Sequence, residues 1–307
     1  MIRLTVTICV SLCLIACNGA DQVSSDPANS AYFTDSDRMI EIGGQSVRYR
    51  ESGPATGPTL LMLHGFTDSL HTWDALAAEL DTDFHILRPD LPGHGLSGLP
   101  AGDDYSNEAL TAFVGDFLDA TKTSEAIIVG NSLGGLAAWR YAALDPDRVS
   151  GLALLAPGGV PHNGVGETPL EAPMMLRFYL ENAPKAGVRT ALQTMHGDTT
   201  RVTDAMVTRF ADLMAMPGNG DAFVARAERF TLPDPAGDMA KVEAPTLILW
   251  GAKDTVLPPE HADIFAEHMP HASVRILDQV GHMPQSEAVD EVATAIRTLA
   301  ARTGNGS

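Results

Sequence analysis

A serine in a glycine-flanked turn carries the strongest chemical signal in the sequence. Ser132 is the central residue of GNSLG at residues 130–134, which fits the pattern Gly-x-Ser-x-Gly. The motif follows a short apolar run at 126–129 and precedes a segment with helical spacing. A sharp turn from strand to helix needs small flanking residues, and it presents the serine hydroxyl above the free N–H groups of the helix. The motif predicts a nucleophile, and the alternative is a tight turn capped by an ordinary serine.

A serine hydroxyl needs a general base, and the base needs an acid that orients it. Asp254 lies in the loop directly after the apolar run at 246–250, and His282 follows the apolar run at 274–277 by a few residues. Taken singly, Asp254 is also compatible with loop capping and His282 with an ordinary loop histidine. The chain order serine, aspartate, histidine at the ends of successive strands predicts a catalytic triad of Ser132, Asp254 and His282.

An oxyanion hole is expected beside the serine. The tripeptide His-Gly-Phe at 64–66 follows the first long apolar run, at 60–63. A loop in this place supplies one backbone N–H, and the residue after the nucleophile supplies the other. The predicted donors are the N–H groups of Phe66 and Leu133.

Three further polar residues lie at predicted strand ends. His64 is interpreted as a hydrogen-bonded loop residue, with a second general base as the alternative. Asp90 and His94 are interpreted as turn scaffolding near the pocket, with a direct role as the alternative.

Short apolar runs alternate with helical segments over most of the chain. Two alternating runs around Gly43-Gly44 indicate a hairpin, and Ser106 is placed to cap a helix that extends to Thr121. Continuous apolar strands alternating with helices indicate a parallel sheet that is covered on both faces. The predicted fold class is therefore α/β.

The alternation stops between residues 158 and 240. This segment shows no clear strand and contains seven of the twelve methionines, including Met174 and Met175. We interpret it as a helical insertion. Its methionines either line an adaptable acyl pocket or fill a small helical core.

The N-terminus has the composition of an export signal. Arg3 precedes an apolar stretch from Leu4 to Ile15 that is too short to span a bilayer, which predicts a signal peptide at residues 1–16. Its end, LIAC, resembles the lipobox of bacterial lipoproteins, which implies acylation of Cys17. Asn18 follows the cysteine, and by the same resemblance it implies the outer membrane, facing the periplasm. The small polar residues of 17–37 predict a flexible tether between Cys17 and the folded body.

Composition restricts the partners. The formal net charge of −19 opposes binding to nucleic acids, and no metal-binding histidine motif or nucleotide-binding glycine loop occurs. No cofactor and no metal are therefore expected. The expected partners are a small-molecule ester substrate and, through the lipid anchor, a membrane. All three cysteines lie within the first seventeen residues, so no disulfide is expected in the folded body.

Five motifs together resemble the α/β-hydrolase superfamily over residues 38–301. They are HGFTDSLHTW, RPDLPGHGLSG, GNSLGG, PTLILWGAKDTVLP and GHMPQSE. The resemblance implies a mostly parallel eight-stranded sheet with helices on both faces. It places the hydrolase core at 38–157 and 241–303 and a helical cap at 158–240.

The last three motifs are especially similar to those of bacterial lipolytic esterases and of related carbon–carbon bond hydrolases. The resemblance implies a serine hydrolase that cleaves carboxylic esters of short to medium acyl chains through an acyl-enzyme. Carbon–carbon bond hydrolysis and a cofactor-free haloperoxidase-like activity use the same triad and stay open. Ser132 argues against the branches that use an aspartate nucleophile. A non-catalytic binding lipoprotein on the same scaffold is the alternative of another class.

Overall fold

One eight-stranded sheet organises the molecule. The computed structural model describes residues 30–303. The strands in chain order are β1 (Asp37–Ile42), β2 (Gln45–Ser52), β3 (Thr59–Leu63), β4 (His85–Pro89), β5 (Ala126–Ser132), β6 (Val149–Pro157), β7 (Thr246–Gly251) and β8 (Ala272–Leu277). Their spatial order is β1-β2-β4-β3-β5-β6-β7-β8. Strand β2 is antiparallel to β1 and to β4, and all other neighbouring strands are parallel. The predicted mostly parallel sheet is confirmed.

Helices connect the strands and cover both faces. In chain order they are α1 (Asp74–Leu80), α2 (Asn107–Ala120), α3 (Leu133–Leu144), α4 (Met174–Asn182), α5 (Lys185–Met195), α6 (Asp204–Met214), α7 (Asn219–Arg229), α8 (Ala236–Met239), α9 (His261–His268), α10 (Pro284–Glu287) and α11 (Val289–Thr303). The Ser106 hydroxyl accepts the Ala109 N–H at 3.1 Å, which confirms Ser106 as a helix cap. Within residues 30–303, no helix is long and apolar enough to cross a membrane.

Two apolar clusters hold the sheet between its helical layers. Phe117 of α2, Trp139 of α3 and Phe265 of α9 pack on one face. Trp73 and Ile296 pack on the other face, where α1 and α11 lie. Because strands such as β5 are buried on both faces, they are continuously apolar instead of alternating.

The segment 158–240 contains α4 to α8 and no named strand. Its only bridge pairs His162 with Val165. Four of these helices share a separate apolar cluster that includes Leu180, Leu192 and Phe210. We call residues 158–240 the cap. Its helices α4 to α7 lie over the carboxyl ends of the strands, where they line the pocket described below.

The predicted tether is wrong for its last residues. The signal peptide and Cys17 lie outside the described residues, but residues 30–37 contact the folded body. The Tyr32 hydroxyl donates a hydrogen bond to Asp212 of α6 at 2.7 Å, Phe33 packs against a small apolar cluster that includes Leu96, and β1 already begins at Asp37. Two aromatic side chains in an otherwise small and polar segment supply enough apolar surface to anchor it.

Candidate active site

Ser132 occupies a strained turn at the junction of β5 and α3. Its φ of 52° and ψ of −113° fall in a backbone region that non-glycine residues rarely adopt. The turn needs glycine at position 134, because a Cβ there would lie 2.1 Å from the carbonyl oxygen of Leu63. Close packing of this turn against the end of β3 therefore accounts for the second glycine of the motif, at position 134.

Asp254 and His282 form a buried hydrogen-bonded pair. The His282 Nδ1–H donates to Asp254 Oδ2 at 2.7 Å, and the two residues are only 3% and 6% exposed. Asp254 Oδ2 also accepts the Trp250 indole N–H at 3.1 Å, while Oδ1 accepts the N–H groups of Val256 and Leu257 at 2.8 and 3.0 Å. Four donors thus fix the carboxylate, and the carboxylate fixes the imidazole orientation.

The backbone of His282 is held from two sides. Its N–H donates to the carbonyl oxygen of Met195 in the cap at 2.6 Å. Its carbonyl oxygen accepts the side-chain amide of Asn131 at 3.1 Å, and the same amide group donates to the carbonyl of Leu155 at 2.9 Å. The sequence analysis missed this role of Asn131, although the residue directly precedes the predicted nucleophile.

Ser132 and His282 line one cavity of about 420 Å³. Phe66 and Leu133 line the same cavity, whereas Asp254 lies behind His282. The cap contributes most of the remaining wall, through Leu176, Tyr179, Leu180, Ala191, Met195, Phe210, Arg226, Ala227 and Phe230. The structure therefore brings four of the five predicted site residues to one largely apolar pocket and holds the fifth, Asp254, against His282. The pocket is large enough for a small organic ligand.

Two backbone N–H groups are available beside Ser132. Among the described residues, the Phe66 N–H has no hydrogen-bond acceptor. Leu133 is the first residue of α3, so its N–H has no acceptor within the helix. A Cβ at Gly65 would lie 3.3 Å from the Cβ of Ser132, which shows how closely the two loops approach. An oxygen bound at this place has two backbone donors within reach.

The histidines near the pocket have structural hydrogen bonds. His64 Nδ1–H donates to the carbonyl of Gly65 at 2.8 Å, and its Nε2 accepts the Leu91 N–H at 2.9 Å. Complete burial lowers the pKa of His64 and holds that of His94 well below its usual value, and His94 bonds to the carbonyl of Pro92. Both rings are therefore neutral at pH 7, in agreement with their interpretation as loop residues.

Asp90 holds three separate segments together. Its carboxylate accepts the N–H groups of Leu70 and Leu96 at 2.7 and 2.8 Å and pairs with Arg48 at 3.1 Å. All of these groups are buried. The contacts agree with the interpretation of Asp90 as scaffolding.

The hypothesis of a methionine-lined pocket is wrong for most of the cap methionines. Met174 and Met175 are 81% and 73% exposed on α4 and do not line the cavity. Met214 and Met239 are buried elsewhere, and only Met195 among the seven lines the cavity. The sequence showed that the cap is helical but not which helix faces point inward.

Two ionisable pocket residues had no signal in the sequence analysis. Burial raises the pKa of Asp68 to about 7 and lowers the pKa of Arg226 to about 10. Both line the cavity. Asp68 lies within one of the quoted motifs, whereas Arg226 lies in the middle of the cap.

Comparisons with known proteins agree with the observed fold. A family model described as alpha/beta hydrolase fold matches residues 58–289. An acetyltransferase component of an acetoin cleaving system in Pseudomonas putida is 31% identical over 91% of this chain and 70% of that protein. Lipase 1 of Psychrobacter immobilis is 30% identical, covering 81% of this chain and 79% of its own. A 2-hydroxy-6-oxo-6-phenylhexa-2,4-dienoate hydrolase of Burkholderia cepacia is 24% identical over 87% of this chain and 94% of its own.

A solved structure extends the similarity to three dimensions. A bacterial membrane phospholipase A, described as a virulence factor, superimposes with a TM-score of 0.75. It is 26% identical, and the match covers 88% of this chain and 87% of that one. The likeness therefore extends over most of both chains.

Proposed function

The chain belongs to the α/β-hydrolase fold family, and we propose that it is a serine hydrolase of carboxylic esters with short to medium acyl chains. The observation that carries this proposal is the meeting of Ser132, the His282–Asp254 pair and two free backbone N–H groups at one apolar cavity. Two relatives of the chain are named as a lipase and as a 2-hydroxy-6-oxo-6-phenylhexa-2,4-dienoate hydrolase. The apolar walls suit an acyl chain.

In this proposal Ser132 attacks the acyl carbonyl carbon. His282 Nε2 takes the hydroxyl proton and then gives it to the leaving alcohol. Asp254 keeps the proton on Nδ1 and stabilises the imidazolium that forms. The N–H groups of Phe66 and Leu133 stabilise the oxyanion, and water then repeats the sequence on the acyl-enzyme, which releases the acid and restores the serine.

Carbon–carbon bond hydrolysis is the second candidate. The similarity to the dienoate hydrolase favours it, because that relative matches most of both chains. The predicted export signal at the N-terminus argues against it, since a dienoate from aromatic degradation is usually a cytoplasmic substrate. Turnover of a p-nitrophenyl ester series against turnover of a dienoate separates the two candidates.

Labelling with a fluorophosphonate tests the proposed nucleophile. We expect wild type to be labelled on Ser132, and Ser132→Ala to lose labelling and about 10⁴–10⁶-fold of its ester turnover with an unchanged circular dichroism spectrum. The exposed Ser124, changed to alanine, is the matched control. Ester turnover that survives in folded Ser132→Ala contradicts the proposal.

The N-terminal sequence supports a proposal on location: export to the cell envelope and acylation of Cys17, with anchoring in the outer membrane on the periplasmic side. We expect palmitate labelling and membrane fractionation of wild type. Cys17→Ser is expected to lose both, while Cys13→Ser, a change within the apolar stretch, keeps them. Unlabelled, soluble wild type contradicts the anchor.

A further inference from the structure

A buried arginine without a carboxylate partner lines the pocket. Arg226 of α7 is 2% exposed. Within residues 30–303, no carboxylate lies at ion-pair distance from it. Its Nη1 donates to the carbonyl oxygen of Tyr105 at 3.3 Å, and its guanidinium lies 5.9 Å from the centre of the Tyr105 ring. With a pKa of about 10, the side chain is charged at neutral pH.

Burial of an uncompensated charge is costly. Arg48 and Arg88, the other buried arginines among the described residues, each pair with a carboxylate, at 3.1 Å and 2.9 Å. Among the described residues, Arg226 contacts a neutral carbonyl and an aromatic ring, and the exposed Asp104 attracts its charge only from beyond ion-pair distance. A charged group that is kept unpaired at the wall of a ligand pocket indicates that its partner arrives with the ligand.

We propose that Arg226 recognises a negatively charged group on the substrate, a carboxylate or a phosphate, that is separate from the ester being cleaved. This inference rests on the proposed ester hydrolysis and specifies its substrate class. The planar guanidinium offers several N–H donors in the geometry that carboxylates and phosphates accept. Pairing in a site with little water makes the interaction stronger than on the surface.

The acidic residue of the pocket wall, Asp68, is compatible with an anionic ligand. Its carboxyl accepts the Ser69 N–H at 2.8 Å through Oδ1, and its buried Oδ2 has no hydrogen-bond partner among the described residues. Because its pKa is about 7, much of it is uncharged at neutral pH, which reduces its repulsion of an anion. Arg226 remains charged under the same conditions.

Two esters of the same chain length test the proposal. Mono-p-nitrophenyl glutarate carries a terminal carboxylate, and p-nitrophenyl valerate carries a methyl group in its place. At fixed ionic strength we expect Arg226→Gln to raise KM for the glutarate ester at least ten-fold. The valerate ester has no group for Arg226 to pair with, so it serves as the reference, and the ratio of the KM for glutarate to the KM for valerate is expected to rise about ten-fold.

Arg229→Gln is the matched control. Arg229 is an exposed residue on the same helix, its guanidinium lies 5.3 Å from the same Tyr105 ring, and its substitution changes the net charge equally. It does not line the pocket, so we expect both KM values to be unchanged. An unchanged ratio of the KM values in Arg226→Gln, or an equal change in Arg229→Gln, overturns the proposal.

A binding measurement separates this inference from the proposed esterase function. Calorimetry of wild type with glutarate and with ethyl phosphate is expected to show binding of at least one anion, which also identifies the preferred one. Arg226→Gln is expected to lose it by ten-fold or more, and Arg226→Lys, which keeps the charge if the glutamine variant does not fold, to retain part of it. Anion binding without ester turnover would support the anion site and contradict the esterase activity. Turnover of the valerate ester with neither anion bound would support the esterase activity and contradict the anion site.

Discussion

At the scale of single residues, burial shifts the pKa values of an acidic and a basic residue of the pocket wall in opposite directions. Asp68 gains a pKa of about 7 and Arg226 a pKa of about 10, because the low-dielectric wall disfavours the charged form of both. Neither shift brings a stabilising ion pair with it. Both residues therefore lower the stability of the free protein, a cost that is common at ligand sites.

Asp68→Asn is expected to stabilise the protein at pH 8. The pKa of Asp68 is about 7 in the folded state, against 3.8 for the unperturbed group, so the folded state binds more protons between these values. The free energy of unfolding of wild type therefore falls as pH rises from about 4 to about 7 and is flat above, a total of about 4 kcal/mol at most. Asparagine does not ionise, so the variant does not lose stability in this way as the pH rises.

Urea unfolding of wild type and Asp68→Asn at several pH values measures the difference. The stability advantage of the variant should grow between pH 4 and pH 7. Asp35→Asn, at an exposed carboxylate, should show no such growth. An advantage of Asp68→Asn that is independent of pH contradicts the raised pKa.

The residues that could be predicted from sequence are those whose backbone positions the fold fixes. Ser132, Asp254 and His282 each follow a strand of a parallel sheet, and parallel strands end at one edge. The motif therefore locates them without knowledge of side-chain packing. Asp68 and Arg226 differ, because their importance comes from burial and from missing partners, which depend on how the cap packs on the core.

At the scale of elements, the loop of His282 is joined directly to the cap. The Glu287 carboxylate at the end of α10 accepts the N–H of Gly281 at 2.9 Å and those of Gly197 and Asp198 at 2.8 and 3.2 Å. Position 281 must be glycine, because a Cβ there would lie 2.4 Å from the carbonyl oxygen of Met195. The cap and the histidine loop thus share one acceptor.

Glu287→Ala is expected to lower kcat by about 10–100-fold through a displaced His282, since small errors in the position of a catalytic group have effects of this size. Three N–H groups lose their acceptor, while the pocket walls stay in place, so KM should change little. Glu287→Gln keeps one acceptor oxygen and should recover part of the rate.

Steady-state kinetics over a range of pH check this positioning role. At each pH, kcat should be lower in Glu287→Ala and unchanged in Glu291→Ala, at an exposed carboxylate paired with Arg275. A loss of thermal stability with an unchanged kcat would show that Glu287 supports only the fold.

The chain-length preference should depend on the inward faces of the cap helices. Ala191 of α5 lines the cavity, so Ala191→Leu fills acyl space and should shift the optimum of a p-nitrophenyl ester series to shorter chains. Met174 and Met175 point to solvent, so their joint replacement by phenylalanine is the control and should leave the profile unchanged. A shift in the control, or none in Ala191→Leu, would contradict the assigned faces.

At the scale of the whole molecule, the first described residues tie the hydrolase core to the cap. Tyr32 bonds to Asp212 of the cap through its hydroxyl, and its carbonyl oxygen accepts a hydrogen bond from Arg48 of β2. Phe33 packs against an apolar cluster that joins Leu96 of the core to Leu213 and Met216 of the cap. Residues 30–36 therefore act as a strap across the two parts, although their polar sequence predicted a tether.

Two truncated chains locate the start of the folded body. A chain that begins at residue 30 keeps the strap, so we expect its melting temperature and ester kinetics to equal those of full-length protein. A chain that begins at residue 36 loses the two aromatic side chains and leaves Arg48 without one of its acceptors. Lost apolar burial and hydrogen bonds of this kind amount to at least about 2 kcal/mol.

For a chain of this size, that loss corresponds to a decrease of about 4–8 °C in melting temperature. Differential scanning calorimetry measures it, and Tyr32→Phe in the longer chain, which removes only the hydroxyl bound to Asp212, should give a smaller decrease. Because the strap joins core and cap, the chain without it should unfold in a single transition at a lower temperature. It should also discriminate less among acyl chains of different length. Equal melting temperatures for the two truncated chains would mean that residues 30–35 lie on the surface without holding it together, and that the predicted tether extends to β1 after all.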